Sequence, residues 1–237
     1  YGAENVWNEN YKLVSHNGGL NDSTSNGNDG TAGGDPSLVT GQIGDAYDLD
    51  GDDYFSISTD LNYDEITLSA WATNDNTGAT VNFLIDGRDA NDDGFRLSRY
   101  SNSIVQFAVN DIDSESSVNA IDDGNWHYIS GTTNGTLGVV YIDGFVNGTA
   151  DTSAETIDTS TNFKIGTRSF STPTNYWNGD VDEIRIHNAT QTAEWINTEY
   201  NNQNSPELFA LEGTPEEGFD SSLFRIGSSN LADLYIF

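Results

Sequence analysis

The sequence contains no cysteine and no methionine, and only eight of its 237 residues are lysine or arginine. Without cysteine, the chain forms no disulfide bridge and offers no thiolate to a metal. The 38 aspartate and glutamate residues bring the formal net charge to -30. Because a chain this negative is repelled by nucleic-acid phosphates and by anionic membranes, we expect no nucleic-acid partner.

The sequence also lacks any apolar run that approaches the length of about 18 residues that a membrane-spanning helix needs. We therefore expect no insertion into a membrane. The chain begins with Tyr1 rather than methionine and shows no cleavable signal, so we expect a piece of a longer or processed protein. Its carboxylates are spread along the whole chain, which is typical of the solvated acidic surface of a halophilic or marine protein.

Helical periodicity is scarce, whereas apolar and polar residues alternate throughout the chain. Alternating segments bounded by Gly, Asn or Asp turns begin at Tyr54, Glu65, Val81, Gly94, Ser103, Asn125, Leu137, Asn162 and Tyr176. Such a series, of about a dozen strands, predicts an all-β fold in which two antiparallel sheets form a sandwich. Asp143 and Gly144 predict a tight hairpin turn between two of the strands.

One short helix near the C-terminus is predicted, from Thr192 to Asn202. Thr192 is expected to cap it, because a threonine hydroxyl accepts a hydrogen bond from a free amide of the first turn. Trp195, Ile196 and Tyr200 are spaced so that they would face the sandwich.

Pro206 does not continue a helix easily and therefore indicates a domain boundary near residue 205. We expect residues 1–10 to be a linker or the end of a preceding domain, 11–204 the principal domain, 205–222 a linker, and 223–237 the start of a short β module. This last segment is too short to bury its own apolar side chains. It is expected to pack on a neighbouring subunit or on another part of a longer chain.

A family resemblance is carried by several segments in a fixed order. They are "DSTSNGNDGT", "GQIGDAYDLDGDDYFSI", "ITLSAWAT", "GNWHYISGTT", "GVVYIDGFVNGT", "FKIGTR" and "YWNGDVDEIRIHN". Over residues 11–204 this order resembles the laminin G-like domains of microbial and viral surface proteins, which have the concanavalin A-like jelly-roll fold. The resemblance implies a carbohydrate-binding or adhesion module that is extracellular, on a cell surface or on a virion appendage.

Relatives with this fold also include polysaccharide-cleaving enzymes, so the resemblance raises the question of catalysis. The retaining glucanases among them carry Glu-x-Asp-x-Glu on one strand, which places two carboxylates on the same face. In "GDVDEIRI", Asp180 and Asp182 share a face, but the next residue on that face is Ile184. His127 lies in the strand signature "NWHYI" and is predicted to be structural. We therefore expect no enzymatic activity.

Calcium is the predicted cofactor, because hard cations bind oxygens of Asp, Asn and backbone carbonyls supplied by adjacent loops. One predicted set of ligands lies in the loop "DGRDANDDG", on the rim of the sandwich. It consists of Asp86, Asp89, Asn91 and Asp92, with Asp93 beside them. Crowded carboxylates repel one another unless a cation neutralises them.

A second set of calcium ligands follows from the resemblance, in which the first and last strands lie side by side. That arrangement would bring Asp22, Asn26 and Asn28 close to Asp182 and would tie the ends of the domain together. The alternative for both sets is that Asn and Asp form turns by bonding their own backbone, without a metal. The carboxylates of "GQIGDAYDLDGDDYFSI" alternate with apolar residues and are predicted to serve solubility and turns.

Sugar recognition commonly pairs a stacking aromatic ring with Asn and Asp side chains that bond the hydroxyls. Four aromatic residues occur in loops or at strand ends, and these are the predicted ligand-binding residues: Tyr100, Phe170, Tyr176 and Trp177. Trp71, Trp126 and Trp195 stand in periodic apolar contexts and are expected in the core. The predicted partner is thus a glycan or polysaccharide. The alternative is a structural or assembly domain of a filament, tail or capsid that pairs with neighbouring subunits through residues 223–237.

Overall fold

The structure is a computed structural model that describes residues 6–16, 21–59, 63–75, 80–110, 112–116, 120–153, 162–170 and 172–206. Within these ranges the chain forms fifteen strands and one α-helix. The strands are β1 (Tyr11–Ser15), β2 (Thr31–Gly33), β3 (Ser37–Thr40), β4 (Asp45–Asp50), β5 (Tyr54–Ile57), β6 (Ile66–Ala72), β7 (Asn82–Asp86), β8 (Phe95–Tyr100), β9 (Ile104–Val109), β10 (Ile112–Glu115), β11 (His127–Thr133), β12 (Leu137–Ile142), β13 (Phe145–Asp151), β14 (Phe163–Ile165) and β15 (Asn178–His187), and the helix is α1 (Ala193–Asn204).

The strands form two antiparallel sheets. The eight-stranded sheet has the order β13-β12-β11-β6-β15-β4-β3, with β1 paired to β15. The seven-stranded sheet has the order β10-β9-β8-β7-β14-β5-β2. Consecutive strands such as β14 and β15 lie in different sheets, so the chain crosses between the layers as it does in a jelly roll. The predicted two-sheet, antiparallel jelly-roll sandwich is confirmed.

The main core lies between the two sheets, where alternate residues of each strand face inward. Phe55, Phe95 and Phe107 from the seven-stranded sheet and Leu68 and Ile184 from the other are all buried there. Burying an aromatic or leucine side chain contributes roughly 1.5–3 kcal/mol. The sandwich is therefore held together mainly by this apolar layer.

The helix α1 packs on the far side of the eight-stranded sheet. Its Ile196 is buried in a second apolar cluster with Trp71 and Tyr128. The predicted cap is confirmed, since the Thr192 hydroxyl accepts a hydrogen bond from the Trp195 amide at 3.3 Å. The expectation that Trp195 lies in the core is wrong, because its side chain is 45% exposed.

A buried ionic network joins α1 to β15. Arg185 donates hydrogen bonds to Glu183 at 2.7 Å and to Glu199 at 2.8 Å, and the Tyr128 hydroxyl donates to Glu199 at 3.0 Å. Trp7 covers this network, with its ring 5.2 Å from the Arg185 guanidinium carbon. Each buried charge in the network has a partner of opposite sign, which buried charges require.

The turn between β12 and β13 has the conformation that its sequence predicts. Asp143 and Gly144 both have positive φ angles, 51° and 79°, and the β-hairpin expected around this dipeptide is present. No helix of the described residues is long and apolar enough to cross a membrane. The proposed boundaries at residues 10 and 205 stay predictions, and residues 207–237 lie outside the described part of the chain.

Candidate functional site

The candidate site is the surface of the seven-stranded sheet that is turned away from the core. In β8, Phe95 and Leu97 lie in the core, so Arg96, Ser98 and Tyr100 point to the opposite side. The neighbouring strand β9 repeats this pattern, because its Val105, Phe107 and Val109 lie in the core and its Gln106 and Ala108 face outward. Strand alternation alone therefore places polar and aromatic side chains on the outer side of the sheet, where Ser98 and Gln106 are buried and Tyr100 is exposed.

Strand register brings charged side chains into one row across this surface. Cross-strand partners place Lys164 of β14 beside Asp86 of β7, Asp86 beside Arg96 of β8, Arg96 beside Ala108 of β9, and Ala108 beside Asp113 of β10. Directly opposite residues share a face and lie about 5 Å apart between their Cβ atoms. The row thus alternates in charge sign along most of its length.

Half of the basic residues of the whole chain gather on this surface. They are Arg88, Arg96, Lys164 and Arg168. We call the outward surface of the seven-stranded sheet, with these four residues, the basic face. On this face the four cations lie among the carboxylates of Asp86, Asp113 and Glu115, in a chain whose formal charge is -30.

Aromatic rings interleave with the basic side chains. The Phe170 ring lies between two guanidinium groups, 4.2 Å from that of Arg168 and 5.7 Å from that of Arg88, and Arg88 also lies 4.8 Å from the Phe83 ring. Such contacts stabilise a cation over the negative face of a ring by about 0.5–2 kcal/mol, depending on exposure. The stack holds the Arg168 side chain in a defined position.

A second group of rings adjoins the stack. The ammonium group of Lys164 lies 5.3 Å from the centre of the Tyr54 ring, and the Tyr54 ring lies 6.3 Å from that of Tyr176. Tyr54 points outward, since Phe55 and Ile57 on the same strand are core residues. The Tyr176 loop is attached to β7 by a hydrogen bond from the Asn82 side chain to the Tyr176 carbonyl at 2.7 Å.

The four basic residues differ in how their charges are compensated. Arg88 is paired with Asp86 at 2.7 Å, and Arg96 is paired with Asp113. Among the described residues, no carboxylate lies within ion-pair distance of Lys164 or Arg168. Burial lowers the pKa of Lys164, although the nearby Asp86 charge opposes this change.

Three of the four predicted ligand-binding residues lie on or beside the basic face. Tyr100 is 42% exposed at the end of β8, and Phe170 and Tyr176 are partly exposed beside the basic side chains. Trp177 is the exception, because its side chain is 1% exposed and belongs to the main core. Its indole donates to the Thr73 carbonyl at 3.0 Å, so the prediction that it contacts a ligand is corrected to a structural role.

The predicted calcium loop of the rim is organised around an arginine. Arg88 donates to Asp86 at 2.7 Å and to Asp92 at 2.8 Å. Asp89 accepts hydrogen bonds from the backbone amides of Asn91 at 2.8 Å and of Asp93 at 3.1 Å, which is the Asx-turn alternative. Arg88 was not among the predicted site residues, although it stands two residues after Asp86 in the same loop.

The other predicted calcium ligands form two separate sets of contacts. The Asp22 carboxylate accepts hydrogen bonds from the amides of Val14, Thr24 and Asn28 at 2.9–3.2 Å. The Asn26 side chain donates to the Tyr11 carbonyl at 2.8 Å, and that of Asn28 donates to the Lys12 carbonyl at 2.7 Å, which ties this loop to β1. Calcium binding by this loop stays a prediction.

Asp182 is fully buried and is held elsewhere. It accepts hydrogen bonds from the amides of Ile43 and Glu183 at 2.9 and 2.8 Å, and burial raises its pKa to about 7. Ile43 belongs to the turn between β3 and β4, and Glu183 is the next residue of β15. In the described structure, none of the hydrogen bonds of Asp182 involves the Asp22 loop.

A cluster of carboxylates that the sequence analysis missed lies at the turn between β4 and β5. Carboxylate oxygens of Asp35, Asp52 and Asp53 lie within 4.8 Å of one another. Asp53 is buried and accepts a hydrogen bond from the Asp35 amide at 2.6 Å, and the pKa of Asp52 is raised by its contact with Asp50. The pair Asp52-Asp53 is visible in the sequence, but Asp35 joins it only through the pairing of β2 with β5.

A family model described as the concanavalin A-like lectin/glucanases superfamily matches residues 49–197. The chain belongs to this superfamily. The match covers every strand of the seven-stranded sheet except β2 and confirms the resemblance that the sequence carries. A search of curated protein sequences found no match.

Solved structures share the fold of this superfamily member. Domain 4 of AbnA, a GH43 extracellular arabinanase from Geobacillus stearothermophilus, in complex with arabinotriose, aligns with a TM-score of 0.61 at 21% identity, over 80% of this chain and 98% of that domain. The binding domain of botulinum neurotoxin DC in complex with SialylT aligns with a TM-score of 0.64 at 18% identity, over 83% of this chain and 52% of that chain. The binding domain of Paraclostridial mosquitocidal protein 1 aligns with a TM-score of 0.65 at 14% identity, over 80% of this chain and 52% of that chain. The chain spans about half the length of the toxin domains, and the likeness shows the fold alone.

Proposed function

We propose that this chain is a non-catalytic carbohydrate-binding module that holds a glycan on the basic face. The observation that carries the proposal is the placement of Tyr100, Phe170 and Tyr176 on or beside one face of the sheet, with basic and polar side chains between them. Sugar rings have an apolar face that stacks on aromatic rings and hydroxyls that hydrogen-bond to polar groups. The face offers both kinds of contact.

The solved structures support the proposal. The arabinanase domain was solved with arabinotriose and the neurotoxin domain with SialylT, and each of these domains aligns with most of this chain. A similar fold that carries sugar ligands makes a glycan a reasonable partner for this chain also, although fold alone does not determine function.

The contacts of the carboxylates favour binding over catalysis. Cleavage of a glycosidic bond needs two carboxyl groups free to act on the substrate. On the basic face, Asp86 is bonded to Arg88 and to the Ser169 amide, and Asp113 is paired with Arg96. These two carboxylates are engaged by protein donors, which supports a module without enzymatic activity.

We further propose that the module works outside the cell, on a cell surface or a virion appendage, where it would serve adhesion, and that calcium stabilises it. An acidic chain without cysteine is compatible with an oxidising exterior. The Asp22 loop, without Asp182, and the rim loop remain the proposed calcium positions.

Binding to a broad glycan array tests the proposal. The wild-type protein is expected to bind at least one glycan, and Tyr100→Ala and Tyr176→Ala are expected to weaken that binding about tenfold, since stacking on an aromatic ring contributes about 1 kcal/mol or more. Phe145→Ala is the matched control, because Phe145 is an exposed aromatic residue of the other sheet. An array without any bound glycan would overturn the proposal.

An assembly role is a second candidate, and one observation favours it. Phe145 and Val146 are 66% and 54% exposed on β13, which is the edge strand of the eight-stranded sheet. Exposed apolar residues on an edge strand favour pairing with another chain. The mass of the wild-type protein and of Phe145→Ser in solution tests it: a wild-type oligomer that the substitution dissociates supports assembly, and a wild-type monomer contradicts it.

A further inference from the structure

We propose that the glycan is acidic and that Lys164 and Arg168 bind its negatively charged group. This inference rests on the proposed function and names the class of ligand for the same face. Carboxylated and sulfated sugars share the required chemistry, which is an anion attached to a ring with an apolar face. The experiment below separates these two sources of charge.

The distribution of charge is the first step. The chain has 38 acidic and eight basic residues, yet four of the eight basic residues meet on the surface of one sheet. Solubility does not call for this arrangement, because the acidic residues already supply a strong net charge. A cluster of cations on an otherwise negative protein attracts an anion to that position and repels it elsewhere.

Within the described part of the chain, Arg88 and Arg96 have carboxylate partners, whereas Lys164 and Arg168 have none within ion-pair distance. Asp86 and Asp113 take up the charges of Arg88 and Arg96. Among the described residues, no carboxylate lies within ion-pair distance of Arg168, whose side chain is partly exposed. An anionic ligand can therefore form a charged hydrogen bond with its guanidinium group.

The surroundings of Lys164 compensate only part of its charge. Asp86 is its cross-strand neighbour, but the Asp86 carboxylate already accepts hydrogen bonds from Arg88 at 2.7 Å and from the Ser169 amide at 2.8 Å. The Lys164 charge is therefore only partly compensated. Burial lowers the pKa of Lys164, and an anion bound beside it would raise that pKa again.

Arg168 and Lys164 each lie against an aromatic ring. Arg168 is held against the Phe170 ring at 4.2 Å, and Lys164 lies 5.3 Å from the Tyr54 ring. Both cations flank Asp86, one as its cross-strand neighbour and the other through the adjoining residue Ser169. Guanidinium groups hydrogen-bond the two oxygens of a carboxylate together, and the rings offer stacking surfaces beside it.

Matched oligosaccharides test the inference. The probes are an oligogalacturonate and its fully methyl-esterified form, which share one backbone and differ in charge, together with a sulfated dextran oligomer and plain dextran. Titration calorimetry is expected to show binding of at least one charged probe. Its uncharged counterpart is expected to bind with a dissociation constant at least about tenfold higher, because it loses the charged hydrogen bonds. A higher salt concentration is expected to weaken binding of the charged probe and to leave binding of the uncharged probe unchanged.

Two substitutions and one control locate the charge contact. Arg168→Gln and Lys164→Gln are each expected to weaken binding of the charged probe about tenfold. Lys12→Gln is the matched control, because Lys12 is a basic residue of the other sheet whose ammonium group lies 5.5 Å from the Tyr63 ring. Melting temperatures show whether each variant folds, and the two substitutions provide independent tests if one of them does not.

Each outcome bears on the inference. Preference for the carboxylated or for the sulfated probe identifies the anion, and either supports the inference when the control variant keeps its affinity. Equal binding of charged and uncharged probes that Tyr100→Ala abolishes would overturn the acidic ligand and leave the proposed function standing. If Lys12→Gln weakens binding of the charged probe as much as Arg168→Gln and Lys164→Gln do, the inference would also be overturned. The probe would then be held by general electrostatic attraction rather than by contacts at this face. Binding of no glycan would overturn both proposals.

Discussion

Arg88 bonds Asp86 at 2.7 Å through its Nε atom, and both side chains are almost completely buried. This pair lies in the crowded carboxylate loop for which the sequence predicts calcium, with Asx turns that need no metal as the alternative. The guanidinium group supplies positive charge within the loop itself, and it also bonds Asp92 at 2.8 Å. An arginine in the loop thus provides part of the neutralisation that the sequence analysis assigned to calcium.

Arg88→Gln is expected to destabilise the fold by about 3–5 kcal/mol, because it leaves the buried Asp86 charge without a cation. Urea unfolding measures the change. The double variant Asp86→Asn with Arg88→Gln is expected to recover part of the loss, since it removes the unpaired charge. If the double variant is no more stable than the single one, the destabilisation has another cause.

Arg185→Met is expected to destabilise the protein more than Glu199→Gln does. Removal of Arg185 leaves the Glu199 carboxylate without its cation and leaves Glu183 with His16 at 2.9 Å as its remaining ion-pair partner, which costs about 3–5 kcal/mol. Glu199→Gln, in contrast, keeps the Arg185 cation paired with Glu183. Equilibrium unfolding of both variants at one pH checks the order. The opposite order would mean that the network is not held together by Arg185.

Stability is expected to depend on the ionisation of His127. Its hydrogen bond to Asp143 raises its pKa in the folded state, and a second bond to Asp123 adds to this effect. The protonated form is thus favoured by folding, so the contribution is complete below the ordinary pKa of 6.5 and is lost as the pH rises through the raised value.

The measurement is urea unfolding of the wild-type protein and of His127→Gln at several pH values from 5.5 to about 8.5. The wild-type protein is expected to lose stability relative to the variant as the pH increases. A constant difference between the two proteins across this range would show that His127 does not contribute through its charge.

Calcium is expected to raise the melting temperature relative to a chelator, and Asp22→Asn is expected to reduce this increment by the share of the Asp22 loop. The increment rather than the melting temperature itself is compared, because Asp22 also accepts hydrogen bonds from its own loop. Asp45→Asn is the control, since it removes one exposed carboxylate at the start of β4. The same melting temperature in calcium and chelator would contradict calcium binding at both predicted positions.

Much of the fold could be predicted from local patterns. Alternation in segments such as "YFSISTD" and "SIVQFAVN" predicts β5 and β9, and Asp143-Gly144 predicts the hairpin of β12 and β13. The sequence predicts that the helix ends at Asn202, two residues before its end at Asn204 in the structure. These features follow from the backbone preferences of neighbouring residues, which the sequence displays directly.

The candidate site was predicted less completely. Tyr100, Phe170 and Tyr176 were recognised as aromatic residues in loops or at strand ends, and they lie on or beside the basic face, whereas Trp177 is buried in the core. The position of a tryptophan next to a turn does not reveal which way its side chain points. That direction depends on the packing of β15 against the rest of the sandwich.

By itself, the sequence determined an acidic, all-β sandwich, because composition, two-residue periodicity and turn residues are local properties. The concanavalin A-like type came from the resemblance that its ordered segments carry. Only the tertiary structure decided which charges meet. The registers of β7, β8 and β14 place Lys164, Asp86 and Arg96 side by side although up to 78 positions separate them in the chain. A cross-strand partner is set by sheet order and register, and these arise from the burial of both sheets against one another rather than from any single segment.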